Sequence, residues 1–283
     1  MSATQSLDHL ILFVPLDPDT KLPKLPPFFE KNFVLTPGGF HADGATSNTL
    51  ILLADGCYIE LISFVDATKA PSHWWGPDAN FIGWKDWCLT NSKSPEDNYE
   101  DVKGTHREPI HGGRKRADCV DVKWAVTFPK GDNGGQDIRG RIPFFCHDIT
   151  ARKIRVPLSA EKTEHPCGAL GVKQLTITVQ DQALLDETKR AYASVIGNDK
   201  PGEGNETRFR ASRVCDVEGL KAGAEIVLRL PKDEKEGEAV KKTGFWYGDV
   251  VLAAKSSADK SRGERVRLDE GAEDVRGLSV EYV

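Results

Sequence analysis

Close to the N-terminus, Leu7-Asp8-His9-Leu10-Ile11-Leu12-Phe13-Val14 forms a short apolar run with one histidine inside it. The pattern returns 165 residues later as Val172-Lys173-Gln174-Leu175-Thr176-Ile177-Thr178-Val179, with Gln174 where His9 stood. In this second copy Gln174, Thr176 and Thr178 fall on one face of a strand and Leu175, Ile177 and Val179 on the other, so one side packs a helix and the other faces a polar space. The matching face of the first copy carries His9, Ile11 and Phe13. A pattern that recurs at a fixed offset predicts a duplicated module, with the active centre where the copies meet.

The elements around each copy follow from the same patterning. Residues 23–33 read as a helix opened by prolines, with Leu25, Phe28, Phe29 and Phe33 toward one side. Three glycines within 38–44 predict a loop or bulged strand. Strands over 49–53 and 57–64 flank an Asp55-Gly56 hairpin signal. Residues 66–140 differ in kind, holding five of the six tryptophans (Trp74, Trp75, Trp84, Trp87 and Trp124) among polar residues. Within this stretch 81–89 read as a short helix, 100–116 as an exposed loop, 120–128 as a strand and 131–135 as a flexible turn, and just beyond it 141–147 is β-prone. Such aromatic density either closes a pocket or packs a linker. Downstream, 182–196 has helical spacing ended by Gly197, 202–205 is a loop, and strands are expected at 207–214, 224–230, 248–254 and 277–283. The charge run 233–242 lacks an apolar stripe and predicts a solvated loop. The element order predicts an α+β fold with strand-helix-strand-strand-strand (βαβββ) modules at 1–65 and 171–283 and an aromatic-rich insertion and linker at 66–170.

Composition narrows the partner. A net charge of −5 gives no footprint for nucleic acid, and no stretch approaches the roughly 18 apolar residues of a membrane span. The first six residues lack a secretory pattern, which together with six scattered cysteines predicts a cytoplasmic protein with reduced thiols. A small-molecule substrate is the expected partner, and either a monomer or a homodimer could house the site.

Candidate chemistry begins with residues that are polar where their strand is apolar. Glu60 lies inside Cys57-Tyr58-Ile59-Glu60-Leu61-Ile62, where an unpaired buried carboxylate would cost several kcal/mol, so it needs a partner. His9, Glu60 and Gln174 offer the nitrogen and oxygen donors that Zn, Fe, Mn or Ni accept. Taken singly, each has an ordinary alternative: a hydrogen-bonded histidine, an ion-paired carboxylate, a surface amide. Phe13 and Thr176 share the site-facing strand faces, and Trp84 belongs to the stretch that would shape the pocket.

Leu7-Asp8-His9-Leu10, the stretch from Gly38-Gly39-Phe40-His41 to Asn48, and Tyr58-Ile59-Glu60-Leu61 resemble the glyoxalase-like domain family of the vicinal oxygen chelate superfamily. Arg141-Ile142-Pro143-Phe144-Phe145, His165-Pro166 and the start of the second module are similar to its middle region. The resemblance implies βαβββ modules cupped around one site, with metal ligands from the first and last strand of each module. That carries over to His9, Glu60 and Gln174. The fourth position departs from the pattern: Val227 or Leu228 stands where an acid is expected, leaving Glu281, Glu225 on a shifted register, or no ligand. His41 and Asn48 would bind or protonate substrate from the pocket rim, or else serve turn chemistry. The expected activity is that of a small-molecule enzyme whose divalent metal acts as a Lewis acid in isomerase, lyase or hydrolytic chemistry, with His41 and Glu281 as catalytic candidates. The alternative is a metal-free binding protein of the same fold.

Overall fold

The computed structural model describes residues 4–116, 118–197, 200–201, 206–270, 272, 275 and 277–283; the loop expected at 202–205 lies outside them. The first element, β1 (Ser6–Phe13), is followed by α1 (Pro27–Asn32), β2 (Thr36–Phe40), β3 (Thr46–Leu52) and β4 (Tyr58–Phe64). β4 returns parallel to β1, and β3 and β2 add antiparallel beyond it, which makes a βαβββ unit. The glycine-rich segment is the bulged strand of the two options, with its register shifting between Pro37 and Gly39.

The next stretch repeats the unit. β5 (Gly83–Thr90), α2 (Pro95–Val102), β6 (Ile110–Lys115), β7 (Asp121–Thr127) and β8 (Phe144–Asp148) again place the last strand parallel to the first. β5 pairs antiparallel with β1, so the two units form one eight-stranded sheet, β2-β3-β4-β1-β5-β8-β7-β6. This corrects the reading of 66–170 as an insertion and linker, because the strands of this stretch form half of the first sheet. Its tryptophan-rich composition masks the repeat. The helix expected at 81–89 is strand β5, and the loop expected at 100–116 contains β6.

Two bulges interrupt the β1–β5 pairing, and the one in β5 explains the first of these misreadings. Asp8 is an extra residue in β1 between the pairs Leu7↔Leu89 and His9↔Cys88, and Lys85 is an extra residue in β5 between Ile11↔Asp86 and Leu12↔Trp84. Each bulge shifts the alternation by one. Trp84 and Trp87 therefore enter the same core three residues apart, a spacing that imitates a helix.

After the short helices α3 (Arg152–Arg155) and α4 (Ala160–Thr163), a second sheet begins at β9 (Ala169–Val179). It continues with α5 (Gln182–Val195), β10 (Lys200–Pro201), β11 (Thr207–Ala211), β12 (Ala224–Arg229), α6 (Glu234–Val240), β13 (Phe245–Ala254), β14 (Arg265–Arg267) and β15 (Leu278–Tyr282). Its order is β10-β11-β12-β9-β13-β15-β14. The solvated loop expected at 233–242 is α6. Asp233 caps it by accepting from the Glu236 amide, Glu236 pairs with buried Arg229, and Val240 is buried.

The sheets share one core. Leu7, Leu10 and Leu12 of β1 join Leu175, Ile177 and Val179 of β9, while Trp87 meets Tyr192 of α5 edge-on with ring centroids 5.7 Å apart. On the other side of the first sheet, Ile11, Phe13, Ile62 and Phe64 pack with Cys88, Phe128, Phe144 and Cys146. The first sheet curls until its edges meet: His41 bridges Arg114, and the Ala42 amide donates to the Gly113 carbonyl at 3.2 Å. That closure makes a cup. No helix among the described residues is long and apolar enough to cross a membrane.

Candidate functional site

Inside the first cup lies a cavity of about 350 Å³, at the small end of ligand pockets. Its polar centre is Glu60, only 5 % exposed. The Asn48 amide donates to Glu60 Oε1 at 2.6 Å, His41 Nε2 lies 3.4 Å from the same oxygen, and His9 Nε2 lies 3.8 Å from Oε2. Trp74, Trp75, Trp124, Phe128 and Phe144 supply apolar walls.

The histidines are oriented from behind. The bulge at Asp8 brings its carboxylate to 2.5 Å from His9 Nδ1. Burial raises the affinity of Asp8 for a proton, but the Arg152 and Arg155 guanidiniums outweigh burial and hold its carboxyl well below the usual range. Asp8 can then only accept, so Nδ1 of His9 donates and Nε2 faces the cup. Tyr58 stacks on the His9 ring with centroids 4.6 Å apart, and its hydroxyl is 2.9 Å from Arg155 Nη1. His41 Nδ1 sits 2.7 Å from the Thr46 hydroxyl, and burial pushes its pKa down. Near the mouth His73 faces Asp43 at 3.5 Å, and its hydrogen bond is the main reason the Asp43 pKa falls to about 2.

The residues expected at the site divide sharply. His9, Glu60, His41 and Asn48 come together. Phe13 lies behind them in the cup, packed on Phe64 and Trp75 rather than lining the cavity. Gln174, Thr176 and Glu281 belong to the second sheet, where β9 pairs with β12 and β13, so the expected His9-Glu60-Gln174 set is not one site. Gln174 donates to Thr176 at 3.2 Å, Glu281 pairs with Lys173, and Glu225 pairs with Arg208 and Arg210. Trp84 packs against Tyr247 in the core between the sheets. The physical reason is topological: the counterpart of β1 in its own cup is β5, not β9. Sequence reading also missed Asp8, Tyr58, His73 and Arg114. Asp8 adjoins His9 in sequence, but strand alternation would aim it at the opposite face, and only the bulge overrides that.

Two donor sets invite a metal. Among the described residues, the one trio of His, Cys, Asp or Glu donors that lies within 4.8 Å is Asp8, His9 and Cys88. It fits poorly, since Asp8 is taken by Arg152, Arg155 and His9, and burial drives the Cys88 thiol pKa well up. His9, His41 and Glu60 form a looser set in which the carboxylate bridges two imidazoles. Their separations of 3.4 and 3.8 Å from Glu60 compare with the ~3.4 Å edge of a tetrahedron built on ~2.1 Å bonds. Both rings have Nδ1 engaged elsewhere, as metal-ligating histidines do. The donor types suit a divalent ion, but the three ligand atoms do not all lie within 4.8 Å of one another, so the set would have to draw together around it.

Paired βαβββ units curl around a buried imidazole–carboxylate centre and form a cup with a cavity inside it. The chain belongs to the glyoxalase-like domain family, whose profile matches residues 7–196, within the vicinal oxygen chelate superfamily. Among solved structures, a hypothetical protein from Staphylococcus aureus is 14% identical with a TM-score of 0.69, covering 99% of this chain and 100% of that one. At that identity the likeness speaks for the fold alone. A xylose isomerase-like TIM barrel/4-hydroxyphenylpyruvate dioxygenase fusion protein is 12% identical, with a TM-score of 0.49 over 90% of this chain and 37% of its own. Methylmalonyl-CoA epimerase from Mycobacterium tuberculosis is 14% identical, with a TM-score of 0.23 over 41% of this chain and 88% of its own. No curated protein matches the sequence.

Proposed function

We propose that the first cup is the catalytic pocket of a small-molecule enzyme of the glyoxalase-like type, in which His9, His41 and Glu60 hold a divalent ion, with Zn, Fe, Mn and Ni as candidates. The observation that carries this reading is the pair of Nε2 atoms facing the two oxygens of Glu60 inside an aromatic-walled cavity. His41 takes the place expected for Gln174. Bound there, the ion would supply Lewis-acid polarisation of a substrate oxygen, which suits isomerase, lyase or hydrolytic chemistry.

The chain's own residues prepare the site. Asn48 fixes the rotamer of Glu60, Asp8 fixes the tautomer of His9, and Tyr58 blocks rotation of the His9 ring. Burial keeps His41 neutral at pH 7, so one of its ring nitrogens carries a lone pair that can bind an ion. The tryptophan walls exclude water, which strengthens every polar interaction with a bound substrate.

Elemental analysis of protein purified without chelators tests the reading. Wild type should carry about one equivalent of metal, Glu60→Gln and His9→Gln should lose it, and Gln174→Ala, altered in the other sheet, should keep it. A wild type that stays metal-free after incubation with each candidate ion would overturn the metal assignment. The cup would then read as a metal-free binding pocket whose Glu60 is satisfied by the 2.6 Å bond from Asn48.

A further inference from the structure

Arg114 is a buried cation without a counterion. It lies on β6 at the seam where the sheet closes against His41, and it is 7 % exposed. Its Nη1 has no hydrogen-bond partner, and among the described residues its guanidinium makes no ion pair. The other arginines near it are committed: Arg155 to Asp8 and Asp148, and Arg116 to Asp118 and the Ile154 carbonyl. Burial depresses the pKa of Arg114, while Tyr58 and Glu60 are the groups whose charge would favour its protonated form. An arginine stays charged in a protein, so leaving it buried and unpaired costs several kcal/mol unless something anionic completes it.

We infer that Arg114 is the anchor for a carboxylate on the substrate, and that the pocket takes small carboxylic acids with a flat apolar body. This rests on the first cup being the substrate site. One planar guanidinium with a free edge matches a carboxylate, whereas a phosphate dianion would call for more uncommitted cations than the cup lining offers. The remainder of the lining selects the body of the ligand. Trp74 stacks on Phe128 at 4.3 Å, with Phe144 and Trp124 alongside, and the volume of about 350 Å³ accommodates a substituted benzene ring and its acid arm. Arg139 backs the Phe128 and Trp74 rings from the far side and does not line the cavity. Arg114 also borders an outer groove that contains Lys162, with Leu50 and Arg155 as the other shared walls. That groove is the competing location for an anion.

Calorimetric titration with phenylacetate and its neutral counterpart phenylacetamide, on metal-free protein, separates these possibilities. Wild type should bind the acid on the order of tenfold or more tighter than the amide. Arg114→Gln should abolish that preference, Arg114→Lys should retain part of it, and Lys162→Gln should leave it intact. Glu60→Gln should preserve or strengthen acid binding, because it removes a repelling carboxylate from the same cup. Equal affinity for acid and amide in wild type would overturn the inference even if no Arg114 variant folds. So would a preference that survives Arg114→Gln, or one lost in Lys162→Gln, which would move the anion to the outer groove. Failure of the metal assignment appears in elemental analysis and leaves this comparison untouched.

Discussion

Replacing Asp8 with asparagine should damage both the stability of the protein and the alignment of its site. Asp8 is fully buried and accepts from Arg152 Nη1 at 2.5 Å, from Arg155 at 2.9 and 3.0 Å, and from His9 at 2.5 Å. Breaking a buried pair by removing one partner costs about 3–5 kcal/mol. Arg155 keeps Asp148, at 2.5 and 3.1 Å, so the loss should fall near the lower end, about 3 kcal/mol. At a urea dependence of roughly 3 kcal/mol per molar, the unfolding midpoint should drop by roughly 1 M, measured by tryptophan fluorescence. The sign with pH follows from a depressed carboxylate. The wild-type advantage is full above the unfolded pKa of about 3.9 and disappears as pH falls through the lower folded value. The same substitution frees the His9 tautomer and should weaken metal binding by about 10–100-fold. An Asp8→Asn protein less than about 1 kcal/mol weaker than wild type at pH 7 would refute the ion-pair argument. Combining Asp8→Asn with Arg155→Gln should cost less than the sum of the two, since each alone strands the other's charge.

Other positions give independent checks. A Cβ on Gly38 would sit 1.9 Å from Asn48 Oδ1, so Gly38→Ala should displace Asn48 from Glu60 and impair metal and ligand binding, read by calorimetry. Burial lifts the Asp86 pKa to about 6, so its charge opposes folding once pH rises through that value. Asp86→Asn should therefore stabilise the protein at pH 7.5 by up to ~3 kcal/mol and lose that benefit below pH 4, as seen in thermal melts; an unchanged melting profile would contradict this. Burial lowers the His106 pKa to about 4, with Nε2 2.9 Å from the Pro143 carbonyl. Wild type should then lose about 3 kcal/mol between pH 6.5 and 4 from this group, and His106→Gln should flatten that part of the pH–stability curve.

What the sequence determined by itself is local. Period-two alternation located β1, β4 and β9, helical spacing located α5, and the polar residues stranded in apolar strands identified His9 and Glu60 as needing partners. The chemistry of these side chains depends on their immediate neighbours, which the sequence records. Tertiary structure decided which strands became neighbours. The repeat between β1 and β9 was visible because both runs are clean, yet the strand that completes the cup is β5, whose pattern is broken by the bulge at Lys85 and crowded by Trp84 and Trp87. Pairing across a sheet depends on contacts distant in sequence and leaves little local trace. Arg114 makes the same point: in Ile110-His111-Gly112-Gly113-Arg114-Lys115 it reads as an exposed basic loop, and only closure of β6 against β2 buries it in the lining of the cup.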